Sequence, residues 1–143
     1  MIIWLASYPK SGNTWLRSIL SSLLYTKDGN FDFEQIYKIK QFPAREYFSQ
    51  FTEKYHDVHE LKKYWIPAQD LISLQNKVTL LKTHHINCKI DNYAFTNSDN
   101  TLATIYIVRD PRNLVKSFTN HYSMDKDRAT KFITTPTPSF ASG

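Results

Sequence analysis

The sequence predicts an α/β fold with three layers, in which a central parallel β-sheet is flanked by helices. The chain opens with an apolar stretch typical of a buried strand, and a short loop then leads into an amphipathic helical pattern. Two further β-rich stretches occur at residues 78–83 and 102–108, and another helical pattern follows the second of them. Strands that alternate with helices favour a parallel sheet with helices on its faces.

The composition is that of a globular protein, and we expect residues 1–143 to form a single domain. Of the 143 residues, 41% are hydrophobic and 22% are charged, which excludes collagen-like and disordered chains. No apolar run reaches the roughly 18 residues of a membrane span, and residues 1–6 lack the basic flank of a signal peptide. The single cysteine, Cys88, suits a reducing compartment. We therefore predict a cytoplasmic protein.

The first strand is predicted at residues 1–8 and ends at Pro9, because proline cannot donate to a β-ladder. The helix that follows shows an apolar stripe at spacings of three and four residues. The stripe consists of Leu16, Ile19, Leu20, Leu23 and Leu24. A cluster at residues 28–30 (DGN) is a turn signal and closes this helix.

Residues 31–76 carry a helical but interrupted pattern. Asp32 and Gln35 resemble a capping box, Pro43 and Pro67 interrupt the pattern, and residues 62–63 (KK) indicate a solvated face. The aromatic residues Phe42, Tyr47 and Phe48 are candidates for a pocket wall, although packing in the core is the favoured interpretation.

The second half of the chain adds two strands and a helix. Residues 78–83 and 102–108 are predicted strands, separated by a polar stretch at residues 87–100. Asp110 and Pro111 then occupy the positions of a helix N-cap and a first-turn proline. Residues 134–143 show no periodicity and are predicted to be a loop or a frayed tail.

The loop between the first strand and the first helix, residues 8–15 (YPKSGNTW), has the chemistry of an anion site. A loop that leads into a helix presents free backbone N–H groups and the positive end of the helix dipole. Lys10 adds a full charge, Gly12 permits close approach of a ligand, and Ser11 adds a hydroxyl donor. The pattern is not a Walker A motif, because the lysine precedes the glycine. An ordinary capped helix after a turn is the alternative interpretation.

A second candidate anion site begins at Arg109, at the end of the third predicted strand. Ser117 lies eight residues further on, about two helical turns away. An arginine fork together with a hydroxyl suits a phosphate, because a guanidinium matches phosphate oxygens bidentately. Lys116 is read as an ordinary surface charge, and the role of Arg112 stays open.

A third candidate segment is Lys82-Thr83-His84, again at the end of a predicted strand. Histidine is a natural general base near neutral pH, and Lys82 could neutralise charge on a transferring group. A histidine after a strand is more often structural, and the neighbouring His85 is an equally placed alternative base.

These three segments together resemble the sulfotransferases that use 3′-phosphoadenosine 5′-phosphosulfate (PAPS). Residues 8–15 are similar to the family's 5′-phosphosulfate loop, residues 109–117 to its 3′-phosphate motif, and residues 82–84 to its catalytic Lys-Thr-His segment. The motifs also occur in the family's order. The resemblance implies a P-loop-kinase-like form of the α/β fold and a sulfuryl transfer to a hydroxyl or amine, without a metal.

The resemblance implies a role for each matching position. The positions that would bind the cofactor are Lys10, Ser11, Gly12, Asn13, Thr14, Trp15, Arg109 and Ser117. The first five of these would hold the 5′-phosphosulfate, Trp15 would pack near the adenine, and the last two would hold the 3′-phosphate. His84 would act as the general base, while Lys82 and Lys10 would stabilise the charge that develops during transfer.

The sequence departs from the family pattern in three respects. Asn13 replaces the threonine typical of vertebrate cytosolic members, which is closer to bacterial members, and His85 follows the Lys-Thr-His segment in place of leucine. The family's C-terminal Arg-Lys-Gly motif has no counterpart. The resemblance covers residues 2–122, so we expect the N-terminal portion of a sulfotransferase domain, truncated after the 3′-phosphate motif. A non-catalytic fragment that binds PAPS or its product is the alternative function.

Other functional classes fit the sequence less well. Residues 56–60 (HDVHE) match neither the H-E-x-x-H nor the H-x-x-E-H zinc motif, so a charged helix surface is preferred there. A net charge of +5 permits nucleic-acid binding, but the basic residues are dispersed along the chain. A nucleotide kinase is disfavoured because the Walker A lysine position is missing. The predicted partner is therefore a small-molecule or glycan acceptor, and no motif specifies which one.

Overall fold

The computed structural model of the protein describes residues 1–135. The strands within this part are β1 (Ile2–Ser7), β2 (Lys40–Gln41), β3 (Thr79–Thr83), β4 (Lys89–Ile90), β5 (Tyr93–Ala94) and β6 (Thr101–Ile107). The α-helices are α1 (Asn13–Tyr25), α2 (Phe33–Ile36), α3 (Arg45–Phe48), α4 (Val58–Leu61), α5 (Trp65–Ser73), α6 (Pro111–Tyr122) and α7 (Lys126–Thr134). A short 3-10 helix, Lys62–Tyr64, connects α4 to α5.

Four strands form one parallel sheet in the order β2-β3-β1-β6. β1 is central: it pairs with β3 on one side and with β6 on the other. β4 and β5 form a separate antiparallel hairpin. The predicted α/β class, with a central parallel sheet flanked by helices, is confirmed.

The three predicted strands are present, and their burial follows from their place in the sheet. In β1, Ile2 and Leu5 are fully buried and Trp4 is 2% exposed, because this strand has a neighbour on each side. The Trp4 indole also donates a hydrogen bond to Thr101 Oγ1 at 3.0 Å and so links β1 to β6. β6 lies at the edge of the sheet, and Tyr106 there is 64% exposed.

The predicted first helix is confirmed as α1, but its apolar stripe is not its buried face. Ile19, Leu23 and Leu24 are exposed, whereas Ser21 and Ser22 are buried. Small side chains allow a helix to approach its neighbours closely, which explains why the serines face inward. The prediction from periodicity therefore identified the helix and not its packed side.

The main apolar core combines the sheet with the segments between β2 and β5. Its buried members are Ile2, Trp4, Phe42, Phe48, Trp65, Ala68, Ile72, Leu81 and Phe95. The ring of Phe42 lies 5.6 Å from that of Trp4 and 5.5 Å from that of Phe48, between centroids. The preferred interpretation of Phe42 and Phe48 as core residues is confirmed.

Both predicted helix caps are present. Asp32 accepts a hydrogen bond from the Glu34 backbone N–H at 2.9 Å, and Asp110 accepts one from that of Arg112 at 2.8 Å. Pro111 is the first residue of α6, as predicted. Gln35, however, reaches the Asp32 carboxylate rather than a backbone N–H, so the reciprocal half of the capping box is not formed.

The structure corrects the prediction of a solvated face at residues 62–63. Lys62 is only 5% exposed, and its ammonium forms an ion pair with Asp91 in the β4–β5 turn. Lys63 is exposed, as expected, and pairs with Glu60 at 2.6 Å. Lys62 is buried because the β4–β5 hairpin, which lies within the polar stretch at residues 87–100, supplies its counter-ion.

Three elements were not predicted, namely β2, the β4–β5 hairpin and α7. The first two consist of two-residue strands, which are too short to show a period. α7 includes Thr134, which corrects the predicted loop at that residue. The rest of the predicted tail, from residue 136 to residue 143, lies outside the described residues.

We expect Phe42→Ala to lower the free energy of unfolding by about 3–5 kcal/mol, because it leaves a cavity among buried rings. Urea unfolding would measure this loss. The control is Phe33→Ala, at a side chain that is 72% exposed, where we expect a loss below about 1 kcal/mol. Similar losses in the two variants would contradict the assignment of Phe42 to the core.

Candidate functional site

The sheet topology brings the three motif segments to one edge. β1, β3 and β6 run parallel, so their carboxyl ends lie together. The register pairs Ala6 with Thr83 and Ser7 with Ile107, which places the segments after these strands side by side. β1 has neighbours on both sides that follow it in the chain, and such a switch point is where open α/β sheets bind ligands.

An open cleft of about 2080 Å³ lies at this edge. A single ligand site usually occupies about 300–1,000 Å³, so the cleft is larger than an ordinary site for one small molecule. Nearly all of the site residues expected from the sequence line it: Lys10, Gly12, Asn13, Thr14, Trp15, Lys82, His84, Arg109 and Ser117. Ser11 is the exception: it is 7% exposed and lies outside the lining, and its hydroxyl has no hydrogen-bond partner among the described residues.

The loop between β1 and α1 has the backbone geometry of an anion cradle. Gly12 is the N-cap of α1, with φ of 108°, and a Cβ placed there would meet nothing within 4 Å. Within residues 1–135 no side chain caps α1, and its first turn holds no acidic residue. The first N–H groups of the helix are therefore available to an anion, at the positive end of the dipole. Lys10 adopts φ of 66°, a conformation uncommon for a residue with a side chain.

The Asn13 side chain points towards the sheet. It is 4% exposed, and its Nδ2 donates to the Leu5 carbonyl at 2.8 Å and to Ser7 Oγ at 3.2 Å. These two bonds attach the start of α1 to the end of β1. Asn13 therefore offers its backbone N–H to the cradle, while its amide group is used inside the fold.

His84 is fixed against the end of β1. Its Nδ1 lies 2.7 Å from the Ser7 carbonyl oxygen and 3.2 Å from Ser7 Oγ. A carbonyl oxygen can only accept, so Nδ1 carries the proton and Nε2 keeps its lone pair. Burial lowers the pKa of His84 below its usual value, an effect that the Ser7 hydrogen bond opposes and the charges of Lys82 and Arg17 reinforce. A neutral imidazole is the form that can accept a proton.

His85 lies in a different environment from His84. Its ring stacks on Phe95 with centroids 5.4 Å apart and meets Trp65 edge-on at 6.1 Å. Burial is the main cause that lowers the pKa of His85, and the charge of the neighbouring His84 lowers it further. His85 is thus part of the aromatic packing beneath the cleft.

Lys82 lies on β3 beside His84, and its ammonium donates to Gln41 Oε1 on β2 at 3.0 Å. Burial lowers the pKa of Lys82, and the charge of Arg17 lowers it further. Arg17 is held nearby because its guanidinium donates to the carbonyls of Ile36 and Ile39, at 2.9 and 2.6 Å.

The third segment contacts the loop directly. Arg109 is exposed, and its Nη1 donates to the Lys10 carbonyl at 2.9 Å. This bond joins the end of β6 to the cradle. Arg112, whose role the sequence left open, instead forms a salt bridge with Asp110 at 2.6 Å, and its Nε donates to the same carboxylate.

Sequence reasoning missed three side chains that interact with candidate site residues, namely Ser7, Arg17 and Gln41. Ser7 carries a faint signal, since it is a hydroxyl residue at the end of an apolar strand. Arg17 and Gln41 carry none, because the contacts that position them join α1 to the α2 segment and β2 to β3.

No group of three or more His, Cys, Asp or Glu side chains within residues 1–135 could hold a metal ion. Asp57, within the rejected zinc pattern, accepts from the His59 backbone N–H at 2.9 Å and caps α4. No helix of this part is long and apolar enough to span a membrane.

Comparison with known proteins agrees with this architecture. The family model described as sulfotransferase domain matches residues 2–137. Searches of curated proteins and of solved structures found no significant match. Since the family match covers most of the 143 residues, the chain belongs to the sulfotransferase domain family, whose activity is sulfuryl transfer.

The two cleft histidines should make stability depend on pH. The pKa of both His84 and His85 is lowered in the folded protein, so the unfolded chain binds protons more readily. The stability that they contribute is therefore complete above about pH 6.5, their unfolded value, and is lost as the pH falls through their folded values. We expect the free energy of unfolding, measured by urea, to fall with acidification, and His85→Phe to reduce the slope. An unchanged slope in this variant would contradict the burial of His85.

Proposed function

We propose that this chain transfers the sulfuryl group of PAPS to a hydroxyl or amine of an acceptor, with His84 as the general base. One observation carries this proposal: an uncapped helix N-terminus, a neutral histidine and an arginine from three separate segments meet in one cleft. Family membership supports the class of reaction.

The residues present fit the cofactor. The first turn of α1 is uncapped within the described part of the chain, Gly12 leaves space for close approach, and Lys10 adds positive charge. Lys10, Ser11, Gly12, Asn13 and Thr14 would hold the 5′-phosphosulfate, with Asn13 acting through its backbone. Trp15 is 71% exposed beside them, so its ring is available to stack on the adenine. Arg109 and Ser117, which also line the cleft, would hold the 3′-phosphate.

When bound, PAPS would supply an activated sulfuryl group, with adenosine 3′,5′-bisphosphate as the leaving group. His84 Nε2 takes the proton that the acceptor loses, because Nδ1 already carries one. Lys82 and Lys10 lie along the cleft, where their ammonium groups would stabilise the charge on the transferring oxygens. The catalysis is therefore positioning and electrostatic stabilisation, analogous to phosphoryl transfer.

The acceptor would occupy the part of the cleft beyond His84. Apolar and aromatic side chains are among the residues that line the cleft, including Tyr55, Ile86 and Ile90. Such a lining suits a small molecule or a glycan with an apolar face. Nucleic acid is not a proposed partner, and a cytoplasmic location remains a prediction.

Binding of the product nucleotide tests the cradle. We expect adenosine 3′,5′-bisphosphate to raise the thermal midpoint of the chain, since a ligand at 100 times its Kd adds about 2.7 kcal/mol. 5′-AMP, which lacks the 3′-phosphate, should stabilise less. Lys10→Ala should weaken the response, whereas Lys126→Ala, on α7, should leave it unchanged. A wild-type response in Lys10→Ala would contradict the assignment of the loop.

Turnover distinguishes the two histidines. We expect His84→Gln to lower turnover by about 100-fold or more, because it removes the proton acceptor, while the response to adenosine 3′,5′-bisphosphate persists. His85→Phe, which preserves the ring stack on Phe95, should keep most of the activity. The reverse result would assign the base to His85. Nucleotide binding without any turnover in the wild-type chain would favour the non-catalytic alternative.

A further inference from the structure

A chain of hydrogen bonds runs beneath the cleft from the start of α1 to the candidate base. Asn13 Nδ2 donates to Ser7 Oγ at 3.2 Å, and the same Oγ lies 3.2 Å from His84 Nδ1. The Ser7 carbonyl lies 2.7 Å from that nitrogen. Asn13 and Ser7 are each 4% exposed, so water does not compete freely for these bonds.

The partners fix the direction of each bond in this chain. Asn13 faces the Leu5 carbonyl at 2.8 Å, which can only accept, so its NH₂ group and not its oxygen points inward. Its second N–H is then directed at Ser7 Oγ, which accepts it. The His84 proton lies on Nδ1 for the same reason, because the Ser7 carbonyl also only accepts.

We propose that Ser7 and Asn13 are positioning residues, which hold His84 in the Nδ1–H tautomer with Nε2 as the proton acceptor. This inference rests on the proposed function, since it concerns the same base. The Ser7 hydroxyl offers Nδ1–H a second acceptor beside the carbonyl, which restricts rotation of the ring. Asn13 holds that hydroxyl in place and is itself held by Leu5.

The side chain of Asn13 is directed into the fold and not towards the bound anion that the resemblance assigned to it. An asparagine whose NH₂ group bound the phosphosulfate would expose that group to the cleft, but the NH₂ group of Asn13 donates to Leu5 and Ser7. Its Oδ1 is buried without a hydrogen-bond partner among the described residues. Its backbone N–H lies in the cradle, and its side chain bonds to Ser7, which in turn contacts the base. Asn13 therefore couples the position of the anion loop to the orientation of His84.

The tautomer can be measured without donor or acceptor, so a failure of the proposed sulfuryl transfer leaves this readout intact. Two-bond ¹H–¹⁵N correlations of the imidazole rings distinguish Nδ1–H from Nε2–H, with the His84 signal assigned through His84→Gln. We expect only Nδ1–H in the wild-type chain. Ser7→Ala and Asn13→Ala keep the Ser7 carbonyl but remove or loosen the second acceptor, so each should introduce a minor Nε2–H population beside the Nδ1–H form. Ser7→Thr, which keeps the hydroxyl, should restore the wild-type pattern.

Ser21→Ala is the matched control. Ser21 is also a buried serine, but its hydroxyl donates to the Ser18 carbonyl within α1. This variant should retain the Nδ1–H signal. Circular dichroism and urea unfolding of each variant establish that it is folded, so that a changed tautomer is not read from an unfolded chain.

Kinetics provide the second readout. We expect Ser7→Ala and Asn13→Ala to lower kcat by about 2- to 5-fold, since the base then spends part of its time in the wrong tautomer, while the Kd of adenosine 3′,5′-bisphosphate changes by less than about 3-fold. An Nε2–H signal in the wild type, or an unaltered Nδ1–H signal in both variants, would overturn the proposal. So would a loss of nucleotide affinity in Asn13→Ala with kcat unchanged.

Discussion

The parallel pairing of β1 with β3 and β6 is the constraint on which the rest of the molecule depends. Parallel strands end at a common edge, so the segments that follow the three strands meet although they are far apart in the chain. The register sets Ala6 opposite Thr83 and Ser7 opposite Ile107. β1 can occupy the centre because its side chains are apolar enough to be buried between two neighbours.

Hydrogen bonds at that edge of the sheet then hold the three segments in fixed positions relative to one another. Asn13 joins α1 to β1, Ser7 orients His84, and Arg109 holds the carbonyl of Lys10. These bonds satisfy the donors and acceptors that a sharp turn between a strand and a helix leaves without ladder partners. They also leave the first N–H groups of α1 available, which is the property that an anion site requires.

Much of the fold was accessible from the sequence, because its long elements carry a clear period. β1, β3, β6, α1 and α6 were all expected, together with the caps at Asp32 and Asp110. The packed side of α1 was not, since its serines face inward and several of its leucines are exposed. β2 and the β4–β5 hairpin were missed because each strand has two residues and is formed by its neighbours.

The sequence by itself determined the family and the candidate residues, since Lys10, His84 and Arg109 each belong to a local motif that the chain order preserves. Only the tertiary structure decided how those residues are used. It showed that the NH₂ group of Asn13 is directed into the fold, that Nδ1 of His84 faces the Ser7 carbonyl, and that His85 is stacked on Phe95. The physical reason is that each of these outcomes depends on a partner distant in the chain or across the sheet, and a local pattern of residues does not encode where such a partner lies.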